Sequence, residues 1–182
     1  MPLWGIFFAL KFKTRYYIIE NNINLGGRNL YFIISILILA ADIITKYLVQ
    51  RAMKPYQSIP VLKNIFHITY VQNTGAAFSI LKGKTFFFTA VSFIIILAIV
   101  FILIKNPIKE RVFGIVMAMI LGGAVGNLVD RLRYGYVVDF LDFRVWPVFN
   151  IADCAIVIGV LILVYLITFH PEYQSLYSKN RR

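Results

Sequence analysis

Apolar residues in this chain come in long blocks, not in the alternating or one-in-three patterns that line the core of a soluble fold. A helix needs about 20 predominantly apolar residues to cross the hydrocarbon core of a bilayer. Four blocks are long enough: Tyr31 to Val49, Thr85 to Ile104, Val112 to Val129 and Ile151 to Phe169. The second and third carry no charge, the first is interrupted by Asp42 and Lys46, and the fourth only by Asp153. Backbone groups in lipid must find their partners within the segment, and the alternation of a barrel strand is absent, so the blocks read as helices. The pattern predicts an all-α membrane protein, a four-transmembrane-helix bundle forming a single domain over residues 1–182.

Two connections, residues 50–84 and 130–150, lie on one side of the bundle, and the short basic turn from Lys105 to Arg111 lies on the other. Within the longer connection, Ile65-Phe66-His67-Ile68-Thr69-Tyr70-Val71 is rich in β-branched and aromatic residues. It predicts one or two strands of a small extracytoplasmic β-sheet lying on the membrane surface. An even number of spans puts both termini on one side. That side holds Lys11, Lys13, Arg15, Arg28, Lys105, Lys109, Arg111, Lys179, Arg181 and Arg182, against Arg51, Lys54, Lys63, Lys82, Lys84, Arg131, Arg133 and Arg144 opposite. The excess favours cytoplasmic termini. At the N-terminus, apolar Leu3 to Leu10 precedes Lys11, Lys13 and Arg15, the reverse of a cleavable leader, and suggests a short interfacial anchor. A short polar, mobile tail is expected after Phe169.

Composition narrows the class. The chain is 60% apolar, above the roughly 45–50% of globular proteins. Its net charge of +11 is scattered between apolar runs, without the basic helix or patch of a nucleic-acid binder, and reads as headgroup contact. Cys154 is the lone cysteine, and His67 and His170 are the only histidines, far apart. No disulfide, no metal centre and no cofactor is expected.

Ionisable residues within spans are costly and are functional-site candidates by default. Five acids stand out: Asp42, Asp130, Asp139, Asp142 and Asp153. Asp130 and Asp153 sit at facing ends of the third and fourth spans, each preceded three positions earlier by an asparagine, Asn127 and Asn150. That spacing puts amide and carboxylate on one helical face. Two carboxylates held close cannot both ionise comfortably, so one keeps a proton while the other acts as base. Such a pair can activate water against a peptide. Plainer readings stand beside this one: Asp130 paired with Arg131 or Arg133, Asp153 as a helix cap, and Asp42 with Lys46 as a self-neutralising i,i+4 pair. Gly122 and Gly126 suit close helix packing. Asn73-Thr74-Gly75-Ala76-Ala77-Phe78 reads as a plain loop or as a lip accepting an extended peptide. An ion-coupled transporter is a rival, but the spans' other halves carry no charge to form a relay. A scaffold with helix-capping acids is a second rival.

Five segments, in order between Asp42 and Ile156, resemble the lipoprotein signal peptidases, the signal peptidase II family of bacterial aspartyl peptidases. They are Asp42-Ile-Ile-Thr45-Lys46, Asn73-Thr-Gly75-Ala-Ala-Phe78, Gly122-Gly-Ala-Val-Gly126-Asn127-Leu-Val-Asp130-Arg131, Val137-Val-Asp139-Phe140 and Phe149-Asn150-Ile-Ala152-Asp153-Cys-Ala-Ile156. The resemblance implies four helices in the bacterial cytoplasmic (inner) membrane, both termini cytoplasmic and the active site near the outer face. It implies cleavage of diacylglyceryl-prolipoproteins before the lipidated cysteine, with membrane lipid as the other partner; a monomer is expected. By this resemblance Asp130 and Asp153 are the catalytic aspartates. Asp42, Lys46, Asn73, Gly75, Asn127, Arg131, Asp139 and Asn150 are implied as supporting or substrate-binding residues. The departures are the extended N-terminus before Asn29 and Cys154, where a small polar residue is common.

Overall fold

A computed structural model describes the backbone of residues 3–75, 84–105 and 110–169, and side chains from Gly27 onward. The expected polar tail, residues 76–78 of the glycine-containing segment and most of the Lys105–Arg111 turn lie outside the described residues. The elements in chain order are α1 (Leu3–Ala52), β1 (Ser58–Leu62), β2 (Phe66–Asn73), α2 (Thr85–Lys105), α3 (Arg111–Tyr134), β3 (Val137–Asp142) and α4 (Ile151–Phe169). Among the described residues, four stretches are long and apolar enough to cross a membrane: Gly27–Ala52, Thr85–Lys105, Arg111–Tyr134 and Ile151–Phe169.

Two helices exceed their expected bounds. α1 continues unbroken back to Leu3 where a separate short anchor was expected; no proline falls between Leu3 and Lys54 to interrupt it. α3 runs past Val129 to Tyr134, so Asp130 lies inside its last turns and does not close it. The helix stops at Gly135, which turns left-handed at φ 77° and donates its N–H to the Arg131 carbonyl at 3.0 Å. A side chain would strain that conformation, and glycine carries none.

α3 is the central helix, packed against α1, α2 and α4. Its core layer includes Val116, Met117, Ala118, Ile120 and Leu121, with Tyr31 from α1 and Leu103 from α2. Glycines permit the approach. A Cβ on Gly122 would stand 2.6 Å from the Ser35 carbonyl, and one on Gly123 would stand 2.5 Å from that of Ala152. Away from this core the helices expose Ile36, Phe93, Leu97, Phe101, Leu161 and Tyr165, a surface that suits lipid.

The strands form one antiparallel sheet in the order β1-β2-β3, with Ser58 opposite Thr69, Ile68 opposite Leu141 and Asn73 opposite Val137. β3 was not foreseen as a strand. It is buried on nearly every residue, so its apolar run shows no alternation to read. Leu141 and Phe149 exchange backbone hydrogen bonds of 2.8 and 3.1 Å, which ties the far end of β3 to the start of α4. Val49, Met53, Tyr70, Val138 and Phe140 pack the sheet onto the end of α1. The sheet therefore lies across the end of the bundle where α1 and α3 finish and α2 and α4 begin.

Candidate active site

The site begins with a buried lysine. Asp42 and Lys46, one helical turn apart on α1, form an ion pair of 2.7 Å with both side chains almost wholly buried. The same ammonium reaches Asp130 Oδ2 at 2.9 Å and Asn127 Oδ1 at 3.0 Å on α3. Three oxygens thus surround the Lys46 ammonium, two as ion pairs and one as a hydrogen bond. Asp42 turns its other oxygen to the Ala152 N–H at 2.9 Å, holding the first turn of α4. Gly126 makes room for that carboxylate, since a Cβ there would stand 2.5 Å from Asp42 Oδ2. The i,i+4 pair is therefore present, and it also bridges three helices.

Asp130 accepts a second bond, 3.0 Å, from the Val138 N–H of β3. Its cationic partner is Lys46 of another helix, in place of the neighbouring arginines. Asn127 continues the network by donating to Asp153 Oδ1 at 2.8 Å. Asp153 and Asn150 cap α4 reciprocally. Asn150 Oδ1 accepts the Asp153 N–H at 2.8 Å, and Asp153 Oδ2 accepts the Asn150 N–H at 3.3 Å. This is a capping box with an asparagine and an aspartate in its two roles. The helix-cap reading of Asp153 is therefore met, and the cap places the carboxylate in the network.

Asp139 approaches from the sheet. Its Oδ1 accepts from Asn150 Nδ2 at 2.7 Å and its Oδ2 from Asn73 Nδ2 at 2.9 Å. Asn73 is set by the Gly75 N–H, which donates to its Oδ1 at 2.9 Å. Asn150 is fully buried and also donates to Asn127 Oδ1 and the Val138 carbonyl. Burial and the neighbouring Asp153 charge push the Asp139 carboxyl up to about 7, against its asparagine bonds and the more distant Lys46. Arg131 stands at the margin, its guanidinium over the Phe88 ring at 5.6 Å.

All ten residues singled out from the sequence meet at this end of the bundle; Gly75 does so through its backbone. Asp142 does not join them. It is held by Thr69 Oγ1 at 2.7 Å and by the Arg144 backbone and guanidinium at 2.9 and 3.1 Å. Partial burial works to raise its pKa, but these bonds prevail and hold it below the ordinary carboxylate value. Phe88, the Val138 amide and the Ala152 amide were not anticipated. Phe88 reads in sequence like the lipid-facing Phe86 and Phe87 beside it, and backbone donors leave no residue signature.

Four acids, Asp42, Asp130, Asp139 and Asp153, stand with two cations, Lys46 and Arg131. Full ionisation would leave excess negative charge in a buried place, which a retained proton relieves. Asp153 alone among the four is only partly buried. Among the described residues no group of three His, Cys, Asp or Glu side chains is arranged to hold a metal ion.

Comparisons with known proteins agree with one another. The family description signal peptidase (SPase) II matches residues 34–169. A lipoprotein signal peptidase of Moorella thermoacetica is 46% identical over 135 residues, covering 74% of this chain and 90% of its own. One from Caldanaerobacter subterraneus subsp. tengcongensis is 49% identical over 129 residues, 70% of this chain and 88% of that protein. A solved bacterial membrane enzyme superposes with a TM-score of 0.73 at 34% identity, covering 79% of this chain and 91% of that one. With four membrane-spanning helices, a small sheet across one end and a buried acid network beneath it, this chain belongs to the signal peptidase II family.

Proposed function

We propose that this protein removes the signal peptide from diacylglyceryl-modified prolipoproteins, cutting before the lipidated cysteine, and that Asp139 and Asp153 perform the chemistry. The names of its relatives support the substrate class. One observation carries the choice of residues: Asp130 is bound to the Lys46 ammonium, whereas Asp139 is held only by neutral amides beside Asp153. The oxygen of Asp130 that meets the Lys46 ammonium is the one that also accepts the Val138 N–H, so this carboxylate is occupied in holding the structure together. A carboxyl raised to about 7 can hold a proton at neutral pH and still release it. The pairing of Asp130 with Asp153 suggested by the sequence therefore gives way, and Asp130 becomes the anion that fixes Lys46, Asn127 and the start of β3.

The reaction follows from two coupled carboxyls carrying one proton. The ionised member takes a proton from water as the water oxygen attacks the scissile carbonyl, while the protonated member donates to the carbonyl oxygen. Collapse of the tetrahedral species returns that proton, breaks the C–N bond and delivers the proton taken from water to the leaving amine. The substrate's lipid chains lie in the bilayer, each buried CH₂ adding about 0.8 kcal/mol to binding. The sheet end faces the exterior and both termini face the cytoplasm.

The test is cleavage of a diacylglyceryl-prolipoprotein by purified protein in detergent, with thermal unfolding measured alongside. Asp139→Asn and Asp153→Asn should each lower kcat by about 10²–10⁴-fold, and Asp139→Asn should unfold no earlier than the parent. Asp130→Asn should lose activity together with stability, at about 1.5–3 kcal/mol for a charged hydrogen bond to a buried lysine. Near-normal cleavage by Asp139→Asn would return Asp130 to the pair.

A further inference from the structure

Two cations stand beside the acids, and only one is spent on them. Lys46 is fully engaged, while Arg131 enters no ion pair among the described residues. The acids whose charges bear on it most are Asp153, then Asp139, then Asp130. Its hydrogen bond to the Asn127 carbonyl is long, 3.5 Å. Its closer attachment is to the face of Phe88, with the guanidinium carbon 5.6 Å from the ring centre.

Phe88 is itself fixed. Its ring meets Phe87 edge-on at 5.5 Å, and its N–H bonds the Lys84 carbonyl at 3.3 Å. Thr85 ties the same first turn of α2 to the rest of the site, its hydroxyl donating to the Gly135 carbonyl at 3.0 Å with the Thr74 carbonyl as the alternative acceptor at 3.3 Å. Gly135 is the residue that caps α3 and bonds back to Arg131. The ring and the guanidinium are thus registered to one another through a single knot of backbone.

An arginine in the field of several carboxylates is suited to a bidentate pair with one of them, and Arg131 makes none among the described residues. Such a pair would fix the chosen carboxylate as ionised and consume the donors of the guanidinium. An aromatic face attracts the cation without accepting its N–H groups, because the attraction comes from the ring quadrupole. The donors in the guanidinium plane stay available. We propose that Phe88 is a positioning residue whose ring holds Arg131 short of the acids, so that the guanidinium donates to a carbonyl oxygen of the bound substrate. This rests on the acid-pair reading above.

The experiment is kcat and KM for prolipoprotein cleavage by the full-length protein and by Phe88→Leu, Phe88→Tyr, Arg131→Gln and Phe88→Leu/Arg131→Gln, with thermal unfolding of each. Phe88→Leu keeps apolar volume but removes the quadrupole, and should lower kcat/KM by about 2- to 30-fold without changing unfolding. Phe88→Tyr should restore the parent value. In the Arg131→Gln background Phe88→Leu should cost nothing further, because the two residues act as one unit. Parent-like activity of Phe88→Leu, equal losses in Leu and Tyr variants, or additive losses in the double variant would each overturn the positioning role. Absence of cleavage by the parent protein itself would instead overturn the proposed function, so the two failures are distinct.

Discussion

At the scale of single residues, the site sorts four similar carboxyls by what each is bonded to. Lys46 neutralises Asp42 and Asp130 directly, whereas Asp139 and Asp153 receive hydrogen bonds only from amides. A consequence for Asp139 is measurable. Its folded-state pKa lies at about 7 against an ordinary 3.8, so between those values the folded protein binds the proton more tightly than the unfolded chain. Stability from this group is therefore greatest at low pH and falls as pH rises from about 4 to about 7. Thermal unfolding in detergent should record that decline, and Asp139→Asn should flatten it. An unchanged slope in the variant would mean that Asp139 is ionised throughout. The candidate residues themselves were legible in the sequence, because acids and amides inside apolar runs are conspicuous. Their pairing was not, since Lys46 is 84 positions from Asp130 by number and nothing in spacing says which helix a lysine will face.

At the scale of elements, glycine positions on α3 decide where the charged groups can sit. Gly126 faces Asp42, and Gly123 faces the first turn of α4. Adding a methyl at Gly126 puts carbon 2.5 Å from Asp42 Oδ2, and that oxygen is fixed by Lys46 and cannot swing aside freely. Gly126→Ala should therefore destabilise by about 1–3 kcal/mol, the usual range for overpacking, and lower cleavage as Lys46 shifts from Asp130. Unfolding and activity assays on the same preparation test it; normal values for both would show that α1 and α3 can separate without harm. The small-residue spacing foretold close packing here, but not that the closest neighbour would be a carboxylate. Element prediction failed for a different reason in β3. Val137-Val138 and Phe140 are buried on both faces, so the strand shows no alternation, whereas β2 was readable from its run of β-branched and aromatic residues. α3 also outran its apolar block by a full turn, because Arg131 and Arg133 sit at the bundle's end, where long cationic side chains reach polar surroundings.

For the molecule as a whole, the attachment of the sheet to the bundle sets how it meets the bilayer. β3 starts just past the end of α3 and is bonded at Leu141 to Phe149 beside the start of α4, so both its ends are tied to the bundle. The sheet must lie along that end, not stand away from it. Its far corner exposes Ile65, Val145 and Trp146, and Phe66 and Phe143 pack ring to ring at 4.9 Å between the hairpin and the following loop. Lys63 and Arg144 accompany them. Indole rings and cations on an apolar rim favour the headgroup layer. We expect Trp146, made the sole tryptophan by Trp4→Phe, to be quenched in nanodiscs by lipids brominated near the headgroup more than by lipids brominated at the chain ends. Quenching by aqueous acrylamide alone would place this corner in water. Orientation is read separately: a reporter fused after Arg182 should be cytoplasmic and one inserted at Gln57 external. The reverse pair of results would turn Asp139 and Asp153 toward the cytoplasm and overturn the proposed external placement of the site.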